Sequence, residues 1–413
     1  MAVSTTTILS GAALVLPDRL LSSGFLVVED GVIVDVGEGR PPARADAAVE
    51  DLTGSTIVPG FIDVHVHGIE GLDTQQGGDV IDAIARRLTR YGVTAFCPTS
   101  IACDPPTLTG MLDGIREARA TFSPGAARVL SAHLESNFIN PDYRGAQPIE
   151  CIRRPPRLPG AADTDPAAEA PAGFSGDDIY TVIDDYRDAV GIVTLAPEMP
   201  GALDLTRALV ASGIRVSLGH SGATYEEAMA GVEAGARHAT HLFNRMTPLG
   251  HREPGLTGAV LASEVLAAEI ICDGFHVHPS VVKLAIQLKR PERTMAITDG
   301  TAGSGLPVGS RVTIGGRPIT VTPTACFLDD GTLAGSALTM DRAFALLVQK
   351  VGCSLVDAAM MCATTQAREL GMGGEWEPRV GALLRGTLAD LAVLDRDLRV
   401  VRTYVGGRVA FAA

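Results

Sequence analysis

The sequence predicts an α/β protein: a (β/α)8 barrel carrying a small β-sandwich domain assembled from both termini. Between residues 57 and 298, strand-like and helix-like stretches alternate eight times, the rhythm of a parallel TIM-like barrel. Short β-branched runs separated by tight turns occupy both ends of the chain instead. The third observation is chemical: the barrel strands end in histidines and carboxylates.

At the N-terminal end, residues 6–9, 25–29 and 32–36 read as short antiparallel strands, with Glu29-Asp30-Gly31 as a turn. Residues 391–394, 400–405 and 408–411 repeat the pattern around Gly406-Gly407. Because chain termini often lie close together, residues 1–56 and 385–413 are expected to share one sandwich, leaving 57–384 for the barrel.

The barrel opens with Ile-Val-Pro-Gly-Phe-Ile-Asp-Val-His-Val-His-Gly at 57–68. A period of two places Asp63, His65 and His67 on one face and Ile62, Val64 and Val66 on the other. Further strands are expected at 93–98, 128–135, 192–195, 215–219, 238–242, 269–272 and 295–298. Helical patterns fill 79–91, 105–120, 202–211, 224–234 and 280–287, the second with prolines at its favoured first positions. Residues 153–178, rich in Pro, Ala, Gly and Asp, break the rhythm between strands three and four. They read as a long loop insertion, either disordered or a lid over the barrel mouth.

Composition excludes several classes. No apolar run approaches the roughly 20 residues of a membrane span, and no basic stretch followed by an apolar one opens the chain. The expectation is a soluble, cytoplasmic protein. A net charge of −14 argues against nucleic acid and anionic membranes as partners. Seven scattered cysteines without C-x-x-C spacing suggest neither a disulfide framework nor a thiolate zinc site, and read as buried thiols in a reducing compartment.

In a parallel barrel, functional groups belong at the carboxyl ends of strands. Those ends carry His65 and His67 on strand one, Glu135 on three, His220 on five, His241 on six and Asp299 on eight. Taken singly, each could be a polar strand end bonded to a neighbouring loop. Together, four of nine histidines and two carboxylates converging on one mouth point to a divalent metal.

With these go His133-Leu134-Glu135, Leu218-Gly219-His220-Ser221-Gly222-Ala223, His241-Leu242-Phe243-Asn244, Arg252-Glu253-Pro254-Gly255-Leu256, Asp273-Gly274-Phe275-His276, Thr298-Asp299 and the Gly-Thr-Leu-Ala-Gly-Ser-Ala-Leu-Thr-Met-Asp-Arg-Ala run at 331–343. The set resembles the amidohydrolase superfamily and, within it, the N-acetylglucosamine-6-phosphate deacetylase family. The resemblance implies that Glu135, His220 and His241 hold the principal divalent ion, zinc first, with iron, manganese or cobalt as options. It also implies that His65 and His67 can complete a second site bridged by Glu135. Three protein ligands leave a position for water, the layout of a catalytic site. Relatives that bridge two metals with a carboxylated lysine are disfavoured, because strand four ends Ala196-Pro197-Glu198 and Lys283, Lys289 and Lys350 lie at no strand end.

The implied reaction is amide hydrolysis releasing acetate and an amino sugar phosphate. A metal can lower the pKa of bound water from about 16 toward roughly 7, with Asp299 as general base and then general acid. Phosphate would meet the backbone amides of Asn244 and Arg245 and the Arg252 side chain, and His276 would contact the sugar. In relatives, the Arg252 and His276 counterparts reach in from a partner subunit, so a homodimer is expected. His278 is assigned to a loop instead, because Pro279 signals a helix start.

The chain departs from the family where the sugar should lie. Ser136-Asn137 replaces the usual Gly-Pro, Gln147 stands where a substrate-contacting histidine is usual, Arg245 replaces a small residue, and 153–178 is unusual. The main alternative is therefore a related amidohydrolase acting on a different N-acyl amino sugar or amine. A non-catalytic scaffold is disfavoured by the full ligand set, and a nucleobase deaminase leaves Glu135 unexplained.

Overall fold

The eight expected barrel strands form one parallel sheet. In hydrogen-bonded order they are Phe61–Val66, Val93–Ser100, Ala132–Glu135, Val190–Leu195, Arg215–Leu218, His238–Ala239, Ala267–Ile271 and Thr294–Ile297. The computed structural model in which they are seen describes residues 6–44, 46–121, 123–158, 173–372 and 379–413. The barrel closes between its first and last strands, where Asp299 N donates to His65 O at 2.9 Å and Val66 bridges Gly300. Strand three is broken: Arg128–Val129 pairs with Ala95 and Phe96, and the chain re-enters the sheet at Ala132.

Both faces of the first strand are buried. The polar face of Asp63 and His65 looks into the barrel, and the apolar face meets covering helices, as parallel sheets require. Helix Asp79–Leu88 buries Ile81, Ile84 and Leu88, the spacing read from the sequence. Helix Pro105–Ala120 starts behind Asp104, whose side chain accepts from Thr107 N, and Tyr225–Ala234 starts with a reciprocal cap between Thr224 and Glu227. His278 is the residue before helix Pro279–Lys289 and accepts from Ser280 N, so its ring is spent on a cap.

The strands of the two ends share a six-stranded sheet, in which Leu391–Leu394 lies antiparallel to Thr56–Pro59. A four-stranded sheet built around Thr6–Ser10 and Gly24–Glu29 packs on it through Leu9, Leu26, Ile33, Ile57, Leu391 and Val393.

Three features were not legible. Helix Gly255–Ala262 is buried along seven of its eight residues, so it shows no polar face and no helical period. Two helical stretches occupy 340–351 and 355–369, and a three-stranded meander, Arg311–Ile314, Arg317–Val321 and Cys326–Leu328, follows the last barrel strand. Within the 153–178 stretch, helix Gly176–Asp185 already begins, capped by Ser175. Residues 159–172, on which the expectation of a disordered insertion or lid rests, lie outside the described residues. Among the described residues no helix is long and apolar enough to cross a membrane. All seven cysteines are free thiols, none more than half exposed.

Candidate active site

Backbone geometry aims the strand ends at one point. His220, His241 and Asp299 have φ of 47°, 31° and 49°, the left-handed region that costs a non-glycine residue of order 1–3 kcal/mol. Each strand thus curls as it ends, and its side chain turns into the barrel mouth. The strand-eight turn is clamped by the 331–343 run: Ser336 N donates to Asp299 O at 2.9 Å and Ser336 Oγ to Thr298 O at 2.5 Å. Gly335, at φ 108°, is required there, since a Cβ would meet Asp299 O at 3.1 Å and Thr301 Cγ2 at 2.9 Å.

Two triples of donors result. In the first, Glu135 Oε1 lies 2.8 Å from His220 Nε2 and 2.9 Å from His241 Nε2, which are 3.0 Å apart. In the second, His65 Nε2 and His67 Nε2 are 3.3 Å apart, with Glu135 Oε2 3.6 Å from His67. Asp299 Oδ1 stands 3.2 Å from His67 Nε2 and 3.6 Å from His65 Nε2. All six residues are less than a tenth exposed.

Whether a divalent ion fits is decided by protons. A neutral imidazole has one N–H, and His220 spends it at Nδ1 on the carbonyl of Tyr143, 2.8 Å away. Its Nε2 lone pair therefore faces an oxygen lone pair of Glu135 at 2.8 Å, which is repulsive unless a cation sits between. His65 is held the same way, its Nδ1 on Glu269 Oε2 at 3.0 Å. Both triples could hold a divalent ion, and the set of imidazole and carboxylate donors suits zinc and its neighbours. Without an ion, protons take its place. Burial works against a charged His65, but the hydrogen bond to Glu269 and the charges of Asp299, Glu269 and Glu135 push its pKa up to about 10. Burial likewise pushes the Glu135 carboxyl up, and His220, His241 and His65 outweigh it and hold the carboxyl well below its usual range.

A cavity of about 70 Å³ opens above these groups, lined by His67, Glu135, His220, His241 and Asp299, and by Gln147, Asn244, Arg245 and His276. Its far wall, Ile314, Leu333 and Ala334, comes from the unforeseen meander and the loop behind it. His276 reaches the pocket of its own chain, anchored by Nδ1 on Asp273 Oδ2 at 2.6 Å. Arg252 does not line the pocket and is exposed. The main-chain N–H of Asn244 is engaged with His241 O at 2.9 Å.

Over residues 56–410 the chain matches the model of the amidohydrolase family. The chain belongs to the amidohydrolase family. This amidohydrolase is 32% identical to N-acetylglucosamine-6-phosphate deacetylase of Bacillus subtilis (strain 168), over 99% of this chain and 98% of the relative. It is also 32% identical to N-acetylgalactosamine-6-phosphate deacetylase of Escherichia coli O157:H7, over 98% and 99%. Its fold superposes with a TM-score of 0.86 on a mutant N-acetyl-D-glucosamine-6-phosphate deacetylase of Mycobacterium smegmatis in complex with N-acetyl-D-glucosamine-6-phosphate. That pair is 31% identical, covering 99% of this chain and 100% of the other.

Several residues of this amidohydrolase take places the sequence did not reveal. Glu198, at the end of strand four, accepts from Asn140 Nδ2 at 2.9 Å, Ser221 Oγ at 2.7 Å and Gly222 N at 2.6 Å, tying the loops after strands three and five together. Ser136 donates to Thr194 O and Asn137 to Cys103 O and Cys151 O, so both brace a loop. Glu269 was passed over although it is the one carboxylate inside the apolar run 267–272, a signal that could have found it.

Proposed function

We propose that the chain is a metal-dependent hydrolase that converts N-acetylglucosamine 6-phosphate to glucosamine 6-phosphate and acetate. The observation that carries this reading is the convergence of Glu135, His220 and His241 on one point beside Asp299, in a chain whose relatives are named for that activity. In this reading Glu135, His220 and His241 hold the principal ion, and His65 and His67 complete a second position that shares Glu135. A divalent ion bound there would acidify water and polarise the amide carbonyl. Asp299 accepts the proton as water adds to the acetyl carbon, then returns it to the nitrogen as the C–N bond breaks. Gln147, Asn244 and His276 surround the sugar, and its phosphate is met by Arg245 of the same chain and by Arg252 of a neighbouring subunit in a homodimer. Residues 57–384 carry the chemistry, with 1–56 and 385–413 as a companion domain.

The galactosamine epimer is the second reading, favoured by the Escherichia coli O157:H7 relative. Acetate release from N-acetylglucosamine 6-phosphate, N-acetylgalactosamine 6-phosphate and unphosphorylated N-acetylglucosamine, on protein of measured metal content, decides. Strong preference for the first is expected. Metal-loaded protein inert toward all three would refute the substrate assignment and move the search to other N-acyl amines.

A further inference from the structure

Glu269 lies on strand seven with no exposed surface, and among the described residues its side chain makes a single hydrogen bond, to His65 Nδ1 at 3.0 Å. Among the described residues its second oxygen, Oε1, finds no hydrogen-bond partner. His133 Nδ1, 3.8 Å away, gives its proton instead to Val64 O at 2.9 Å. His133 Nε2 in turn takes the hydroxyl of Thr194 at 2.8 Å, which is backed by Thr240 and Ser217. With both nitrogens used, His133 cannot ligate a metal, so the His133, Glu269 and His65 group is not a third metal site.

A carboxylate this dry is costly without a counter-charge. When His65 offers a bare Nε2 to a ligand its ring is neutral, and Nδ1–H then gives Glu269 a donor but no charge. A cation on the other nitrogen of the same ring supplies the charge, and the carboxylate sharpens the ring as a ligand, an arrangement worth roughly 10–100-fold in metal affinity.

We infer that Glu269 is the positioning residue of the second metal position: it fixes His65 as the Nδ1–H tautomer and aims the Nε2 lone pair at the ion shared with His67 and Glu135. This rests on the metal reading above. Among the described residues no such buried carboxylate supports the first position, where a main-chain carbonyl, that of Tyr143, orients His220. Loss of Glu269 should therefore empty one position and spare the other.

The experiment is zinc titration of metal-stripped protein, with bound zinc counted by elemental analysis, on wild type, Glu269→Gln and Glu269→Leu. Wild type should take two equivalents. Glu269→Gln, which keeps an acceptor for His65 but not the charge, should bind the second equivalent roughly 10–100-fold more weakly. Glu269→Leu should take one, and that retained equivalent on Glu135, His220 and His241 reports that the variant is folded. If the leucine variant does not fold, the glutamine variant decides, and unchanged second-site affinity there overturns the inference. Two tight equivalents in the leucine variant, or a single equivalent in wild type, also overturn it. Wild type that binds no zinc refutes the metal reading itself.

Discussion

Gln147 donates its side-chain amide to Oε2 of Glu135, the carboxylate on which both histidine pairs converge. Its own oxygen is held by Ala102 N at 2.7 Å, so the amide cannot flip and the donor always faces Glu135. The residue that replaces the family's usual histidine thus braces a metal ligand while lining the pocket. Gln147→Ala leaves a buried N–H and a carboxylate oxygen unmatched. It should lower stability by about 1–3 kcal/mol in denaturant titrations and weaken zinc binding. Gln147→Glu, which sets a second carboxylate against the first, should be worse. Unchanged stability and affinity in both variants would leave Gln147 no part in holding Glu135.

Asp299 is held on its backbone side by Ser336 and stands beside His67 on the other. Asp299→Asn keeps the shape and removes the base. Zinc content should stay at the wild-type level while kcat falls by roughly 10²–10⁴. A variant that keeps its turnover would remove Asp299 from proton transfer.

The proton on His65 competes with metal. With a pKa pushed up to about 10, the ring of the metal-free protein is protonated at neutral pH, and an ion must displace that proton to bind. Zinc affinity should accordingly rise as pH is raised from 6.5 toward 9, with protons released on binding. Competition with a chelator across that range measures the first, and calorimetry in buffers of different ionisation enthalpy measures the second. A flat affinity profile with no proton release would contradict the protonated ring.

The guanidinium of Arg245 lies against Gly145, where a Cβ would meet its Nε at 2.9 Å, and among the described residues it is the one arginine or lysine lining the pocket. Arg252 is exposed in the single chain. If both serve the phosphate, Arg245→Ala and Arg252→Ala should each raise KM for the phosphorylated sugar about 10–100-fold and leave the unphosphorylated sugar nearly unaffected. Equal effects on the two substrates would take that arginine out of the phosphate site.

The barrel was legible because its strands, buried on both faces, read as short apolar runs, and its helices, buried on one, write a helical period between them. Pro105–Ala120 and Ala202–Ala211 fall on the residues expected for them. Helix Gly255–Ala262, buried all round, carries no such period, and the meander at 311–328 has strands of three to five residues, too short to show one. Glu269 stands out as the one carboxylate in the apolar run 267–272, but its partner His65 lies 204 positions away, so its role is written nowhere near it.

What the sequence determined by itself is the cast and the end of the barrel at which it gathers, because alternate residues of a strand share a face and parallel strands all end on one side. What only the tertiary structure decided is which nitrogen of each ring is free and what stands within 3 Å of it. Glu135 meets His220 across 85 positions of chain and His65 meets Glu269 across 204. A ring's tautomer is set by the neighbour on its far nitrogen, the Tyr143 carbonyl for His220 and the Glu269 carboxylate for His65, and that neighbour is chosen by packing, which no local pattern records.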